Sequence, residues 1–189
     1  SASVAPQAIV RVGLMAPFTG PAAAFGQDML KGAQIAVDEV NAGGQLGGQR
    51  LTIDQGDDKA DPSMAVLVAQ KLIADGVVAV VGPATSVAAQ DAEQTFDQAK
   101  VPMLTPAANA PGITDQRLPS VFRTTGRWDQ EAPVLADYLL KQTKHVAIVS
   151  DRGAYGQVLA VAMRTALGAA GAQPVADLQV DSGAKDFGP

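Results

Sequence analysis

Short apolar runs alternate with longer amphipathic ones along the chain. Ile9 to Met15 (IVRVGLM) is rich in β-branched residues and predicts a strand. From Gln27 to Asn41, Met29, Leu30, Ala33, Ile35, Ala36, Val37 and Val40 recur at helical spacing. Gly43-Gly44 ends that segment, because glycine accepts the left-handed cap conformation cheaply. Gln49 to Asp54 alternates Leu51 and Ile53 with polar residues, a strand pattern. Asp61-Pro62 predicts an N-cap and a first-turn proline, opening a helix that runs to about Asp75 and stops at Gly76. Val77 to Val81 (VVAVV) is too short for a helix and wholly apolar, as a central parallel strand is. Ser86 to Lys100 predicts a helix and Val101 to Thr105 a strand. Ala107 to Ser120 has little periodicity. Val121 to Thr124 predicts a short strand and Trp128 to Gln142 a helix, with Asp129 and Glu131 in the first turn, where the helix dipole favours them. His145 to Ser150, Gly156 to Gly171 and Pro174 to Val180 predict strand, helix and strand.

Apolar strands alternating with crossover-length helices predict an α/β fold built on an open parallel sheet flanked by helices. A boundary is expected near Thr124, giving an N-terminal lobe over 1–124 and a second unit over 125–189. The second unit is too small for a complete domain of this type, and the chain reads as truncated.

Composition removes several function classes. The 189 residues are 47% hydrophobic and 17% charged, with a formal charge of -5. That is apolar enough for a core, and mildly acidic, which disfavours a nucleic-acid binder. With no cysteine and one histidine, disulfides, thiolate sites, cysteine nucleophiles and multi-histidine metal cages are excluded. No apolar run approaches the roughly 20 residues that span a bilayer. The start, Ser1 to Gln7, has neither Met nor a charged-then-apolar leader and reads as a mature terminus.

Open α/β sheets bind ligands beyond the carboxyl ends of their strands, so the segments after each strand are the candidates. After the third comes Gly82-Pro83-Ala84-Thr85-Ser86. Ser86 is expected to be the N-cap of the next helix. Its hydroxyl, the free amides and the dipole together would suit a carboxylate, although a cap alone explains most serines so placed. After the fourth comes Thr105 to Pro111, whose short side chains at Ala107, Ala108 and Asn109 leave the backbone open to a ligand. Phe25, after the first strand, and Tyr155, after Ser150, are aromatic residues among small ones; each reads as a pocket wall or as a packing anchor. Asp57, Asp58 and Asp61 suggest a hard-cation site less than they suggest a solvated loop plus a cap. There is no G-x-G-x-x-G after a strand, no P-loop and no G-x-S-x-G, and His145 has no orienting acid nearby; no catalytic residue, cofactor or metal is expected.

Several segments, in order, carry a resemblance. They are Val12-Gly13-Leu14, Thr19-Gly20-Pro21 with Phe25-Gly26, Lys31-Gly32-Ala33, Asn41-Ala42-Gly43-Gly44, Asp57-Asp58 with Asp61-Pro62, and Val81-Gly82-Pro83. Thr105-Pro106-Ala107-Ala108, Phe122-Arg123-Thr124-Thr125, Asp151, Tyr155-Gly156 and Lys185-Asp186-Phe187 complete the set. The chain resembles the type I periplasmic solute-binding proteins of branched-chain amino-acid ABC transporters, the Leu/Ile/Val-binding group. The resemblance implies a two-lobed extracytoplasmic protein, periplasmic with any signal peptide already removed. Such a protein closes on an amino acid and delivers it to an ABC permease without chemistry, nucleic acid or membrane insertion. It implies that Ser86 and the backbone around Ala107, Ala108 and Asn109 hold the α-carboxylate and α-ammonium, with Phe25 and Tyr155 lining the pocket. Phe25 stands where tyrosine is usual, Asn109 where threonine is common, and Val87-Ala88 replace a more hydroxyl-rich stretch, so the ligand within the family stays open. A fragment of this extent is expected to hold half a site and to bind weakly. The rival readings are a ligand-sensing domain of a regulator or receptor with the same fold, which here lacks a helix-turn-helix, and, further off, a small α/β enzyme using the Asp57–Asp61 cluster.

Overall fold

The computed structural model describes residues 8–181 and 184–186. Ser1 to Gln7 and Phe187 of the closing motif lie outside the described residues. The chain divides into two compact units, Ser1–Thr125 and Gly126–Pro189.

Unit 1 runs β1 (Ile9–Ala16), α1 (Ala23–Gly43), β2 (Arg50–Asp57), α2 (Pro62–Ala74), β3 (Ala79–Val81), α3 (Ser86–Gln98), β4 (Met103–Thr105), α4 (Gly112–Asp115) and β5 (Val121–Arg123). Its five strands are all parallel in the order β2-β1-β3-β4-β5. The run Val77 to Val81 therefore does supply the middle strand. From β1 the chain steps outward one way to β2, then crosses to the other side of β1 for β3, β4 and β5. Crossovers of this kind are right-handed, so the reversal of direction sends α1 to one face and α2 and α3 to the other. The main core accordingly lies under α2 and α3: Met15, Val80, Met103 and Val121 from the strands meet Ala65, Leu72, Ala88, Ala92 and Phe96 from the helices. Alternation along β1 turns Leu14, also buried, away from Met15.

The predicted element borders shift by a few residues, for local reasons. Pro102 has no N–H to give the ladder and Val101 N donates to the Phe96 carbonyl, so β4 starts at Met103. Gly43 is the last residue of α1, and Gly44, at φ 64°, is its left-handed cap. The stretch from Ala107 to Ser120, read as irregular, contains the one-turn helix α4; four residues are too few to show a period. The expected cap of α2 is present: Asp61 accepts hydrogen bonds from Ser63 N at 2.8 Å and Ser63 Oγ at 2.7 Å.

Unit 2 holds α5 (Trp128–Gln142), β6 (Ala147–Asp151), α6 (Ala154–Ala169) and β7 (Ala176–Val180). The two strands pair in parallel, Ala147 opposite Ala176 through Asp151 opposite Val180. One face of this pair packs on both helices through Ile148, Ala132, Ala136, Ala160, Met163 and Leu167. No helix of the described residues is long and apolar enough to cross a membrane.

Candidate functional site

The direction of the chain reverses between β1 and β3, and the carboxyl ends of strands at such a switch point form a crevice. Three loops start there. Their backbones are drawn together tightly: Gly82, just past β3, has φ +113°, and a Cβ on it would meet the Met15 carbonyl oxygen at 1.9 Å. Only glycine fits that approach. Gly82 N also donates to the Leu104 carbonyl at 2.9 Å, which ties β3's end to β4's.

The loop after β3 delivers the start of α3. The helix starts one residue earlier than the N-cap expected at Ser86 would give. Thr85, with extended backbone angles (φ -99°, ψ 148°), is the N-cap, and Ser86 is the first helical residue. Thr85 makes no capping bond, and its Oγ1 is buried without a partner among the described residues. The Ser86 hydroxyl turns instead to the neighbouring loop, accepting a hydrogen bond from Ala110 N at 3.2 Å. As an acceptor there, it keeps its own O–H available for donation.

The loop after β4 is held from beneath by Thr105, which is fully buried. Its hydroxyl donates to the Pro83 carbonyl at 2.7 Å and accepts from Ala108 N at 3.1 Å, so one side chain joins both loops. Ala108 is thereby occupied: its methyl is buried and its N–H is used. Ala107 and Asn109, on either side, are half-buried, and among the described residues no hydrogen bond to their backbone groups is formed within unit 1. The structure thus places Ser86 and the 107–110 segment side by side, at the helix start where unpaired amides gather. Thr105, which joins these loops, was not a candidate from the sequence. The available signal was a hydroxyl at a strand end, where burial obliges it to find partners.

The loop after β1 is fixed by a carboxylate. Asp57 accepts from Phe18 N at 2.8 Å, Thr19 N at 3.3 Å, Thr19 Oγ1 at 2.6 Å and Lys59 N at 3.1 Å. Burial pushes its pKa up, but these hydrogen bonds outweigh burial and hold it below the usual value. Asp58 differs. It is fully buried with one bond, from Ala60 N at 2.8 Å; burial and the neighbouring Asp57 charge push its pKa up. Asp61 is spent on its cap. The three carboxylates therefore fold loops, and no group of three or more His, Cys, Asp or Glu side chains among the described residues is placed to hold a metal ion. Phe25 lies in the first turn of α1 and is 46% exposed. Gly26 beside it is buried against the Pro17 carbonyl, which a Cβ would meet at 2.2 Å.

In unit 2, Tyr155 lies in the first turn of α6 and is 51% exposed. Asp151 shapes that turn. Its Oδ1 accepts from Gly153 N at 3.2 Å and lies 2.0 Å from where a Cβ on Gly156 would be, so a side chain on Gly156 would require the Asp151 carboxylate to move. A cavity of about 290 Å³ opens between β6 and the helices, lined by apolar residues such as Leu135, Leu139 and Met163, and Tyr155 is not among its walls. His145 is exposed, just ahead of β6.

Known proteins bear on this geometry. The chain is 43% identical to the Leu/Ile/Val-binding protein BraC3 of Rhizobium johnstonii over 180 residues, which cover 94% of this chain and 49% of that protein. Among solved structures it is similar to the branched-chain amino acid transporter substrate binding protein LivJ of Streptococcus pneumoniae, in complex with isoleucine. That match has a TM-score of 0.83 and 30% identity, over 95% of this chain and 51% of that one. It is also similar to a solute binding protein of an ABC transporter from Rhodopseudomonas palustris, in complex with 3,4-dihydroxy benzoic acid, with a TM-score of 0.79 and 27% identity over 92% of this chain and 47% of that one. The chain spans about half the length of the curated relatives it matches. The family described as periplasmic binding protein matches residues 9–189, from β1 to the end of the sequence and through both units, and the chain belongs to that family.

Proposed function

We propose that this chain is the ligand-gripping part of an extracytoplasmic solute-binding protein that captures a small carboxylate-bearing metabolite, a branched-chain amino acid in the first place, and passes it unaltered to an ABC permease. The observation that carries this reading is the meeting of Ser86 Oγ with Ala110 N at 3.2 Å, which brings a hydroxyl, a helix start and an open loop backbone to one place. A zwitterion needs donors at one end and acceptors at the other. The Ser86 hydroxyl and the first amides of α3 supply donors for the carboxylate. The carbonyls of Ala107 and Asn109 supply acceptors for the ammonium. Phe25 is the proposed contact to the ligand's side chain from unit 1; Tyr155, to which the resemblance gives a like role, belongs to unit 2. The names of the relatives favour leucine, isoleucine and valine, and the aromatic acid held by the Rhodopseudomonas protein shares their carboxylate.

The test is an amide-shift titration of the 189-residue chain by NMR with leucine, isoleucine, valine and 4-hydroxybenzoate. One ligand is expected to move the amides of Ser86, Val87 and Ala107 to Ala110 together, and Ser86→Ala to weaken it about tenfold through loss of one charge-assisted hydrogen bond. Shifts absent with all four ligands, or confined to other parts of the chain, would overturn the reading.

A further inference from the structure

The loop from Ala107 to Pro111 has no regular structure of its own, so something else must fix the direction of its amides and carbonyls. Two of its fastenings are at the front: Thr105 Oγ1 takes Ala108 N, and Ser86 Oγ takes Ala110 N. The third is at the back. Arg123, the last residue of β5, donates from Nη2 to the Pro111 carbonyl at 3.3 Å and to Thr114 Oγ1 at 2.6 Å. One guanidinium nitrogen thus ties the loop's end to the helix α4 that follows it. Behind Arg123 is Glu93 of α3, fully buried and attracted by the guanidinium. Glu93 Oε1 also accepts from Gln116 Nε2, just beyond α4. A strand, a long helix and a one-turn helix therefore converge on the end of the loop through ionic and hydrogen-bonding groups rather than through apolar packing alone.

That arrangement is costly if its only purpose is to hold the fold together. A buried carboxylate and a guanidinium contribute little net stability over apolar residues of similar volume, but they fix geometry closely. We infer that Arg123, with Glu93 as its countercharge, is the positioning residue of the 107–111 loop, setting where the ligand-facing groups of Ala107 and Asn109 stand without itself touching the ligand. This rests on the loop's proposed role in gripping the ligand. A guanidinium suits this place because its rigid plane fixes the direction from which Nη2 meets the carbonyl and the hydroxyl together, whereas a lysine ammonium is a point charge on a flexible stem.

Two measurements on the 189-residue chain separate this role from general stabilisation. The first needs no ligand: hydrogen exchange of the Ala108 and Ala110 amides. Arg123→Gln is expected to speed exchange at these amides about tenfold, equivalent to loss of one to two hydrogen bonds, while the amides of β1 and β2 keep their protection. Arg123→Lys should fall between the two. Asn41→Ala, which removes the bonds from Asn41 to Leu51 N and O at the other side of the unit, is the control and should leave the loop amides unchanged. The second is the leucine titration, in which Arg123→Gln should weaken binding about tenfold and Asn41→Ala should change it by less than about twofold. Thr114→Val reports the same contact if Arg123→Gln does not fold. Unchanged loop exchange in Arg123→Gln, or equal loosening of β1 and the loop, would overturn the inference. If the wild-type chain binds none of the four ligands, the proposed function fails, and the exchange measurement still decides the positioning role.

Discussion

Replacing Glu93 by glutamine should make unit 1 more stable at neutral and alkaline pH and leave it unchanged near pH 4. Glu93 is fully buried in α3, with Oε1 bonded to Gln116 and Oε2 without a partner among the described residues. Its pKa rises from 4.5 to about 7: burial pushes it up, Arg123 pulls it down less than burial raises it, and Asp91 adds a small push upward. The folded state then binds a proton that the unfolded chain releases near 4.5. Between those values the native protein carries more protons than the unfolded one, so stability falls as pH rises and levels off above the folded-state value. At about 1.4 kcal/mol for each pH unit, the interval sets an upper figure of about 3 kcal/mol lost between pH 4.5 and 7. Glutamine keeps the shape and the acceptor for Gln116 but never ionises. The assay is urea unfolding at a series of pH values from 4 to 8, followed by far-UV circular dichroism. Trp128 is the only tryptophan and lies in unit 2, so its fluorescence identifies that unit's transition and leaves the remaining signal to unit 1. The wild-type curve should fall away from that of Glu93→Gln as pH rises. Asp58, also raised, contributes in the same direction but equally to both proteins and cancels in the difference. Parallel curves across this range would refute the reasoning.

Other parts of unit 1 give equally direct tests. Gly82→Ala puts a methyl within 1.9 Å of the Met15 carbonyl at φ +113°, and a loss of about 3 kcal/mol or more is expected in thermal or urea unfolding. Asp57→Asn should cost about 1–3 kcal/mol at pH 7, because an amide cannot accept all four of the loop's donors. Since the Asp57 pKa is held below 3.8 in the folded state, its contribution is present above 3.8 and disappears as pH falls through the folded-state value. The gap between wild type and Asp57→Asn should therefore close on acidification.

The sheet was readable because burial writes a pattern into the chain. Val77 to Val81 is apolar without alternation and supplies β3, between β1 and β4; within the run Val77 and Val80 are the buried residues, packed with the α2 and α3 side chains, while Val78 is 56% exposed, and α1 shows helical spacing because only one of its sides meets the strands. Borders were less readable where a single backbone group decides them. Nothing in VPMLT marks Met103 as the first paired residue except the missing N–H of Pro102. Neither Thr85 nor Ser86 is distinguishable as the cap from a pair of adjacent hydroxyls, since the choice depends on where the Ala110 amide arrives.

The proposed ligand site is readable in a different degree, and for a chemical reason. A catalytic centre announces itself through side chains with unusual reactivity. A site made of peptide groups does not, because every residue has them and only the fold decides which ones are left unpaired. Ser86 could be named from a hydroxyl at a helix start, and Ala107 and Asn109 from small residues after a strand. The residues that give those groups their direction could not. Thr105 looks like the end of a β-branched strand, yet its buried hydroxyl joins Pro83 to Ala108. Arg123 looks like a polar end to a short strand, yet it reaches back to Pro111, 12 positions earlier. In each case the partner is a backbone atom on another loop, and the pairing exists only once β3, β4 and β5 are side by side. A sequence can show which loops a parallel sheet will gather at its carboxyl edge; the hydroxyls and the guanidinium that aim those loops become visible only through what they bond.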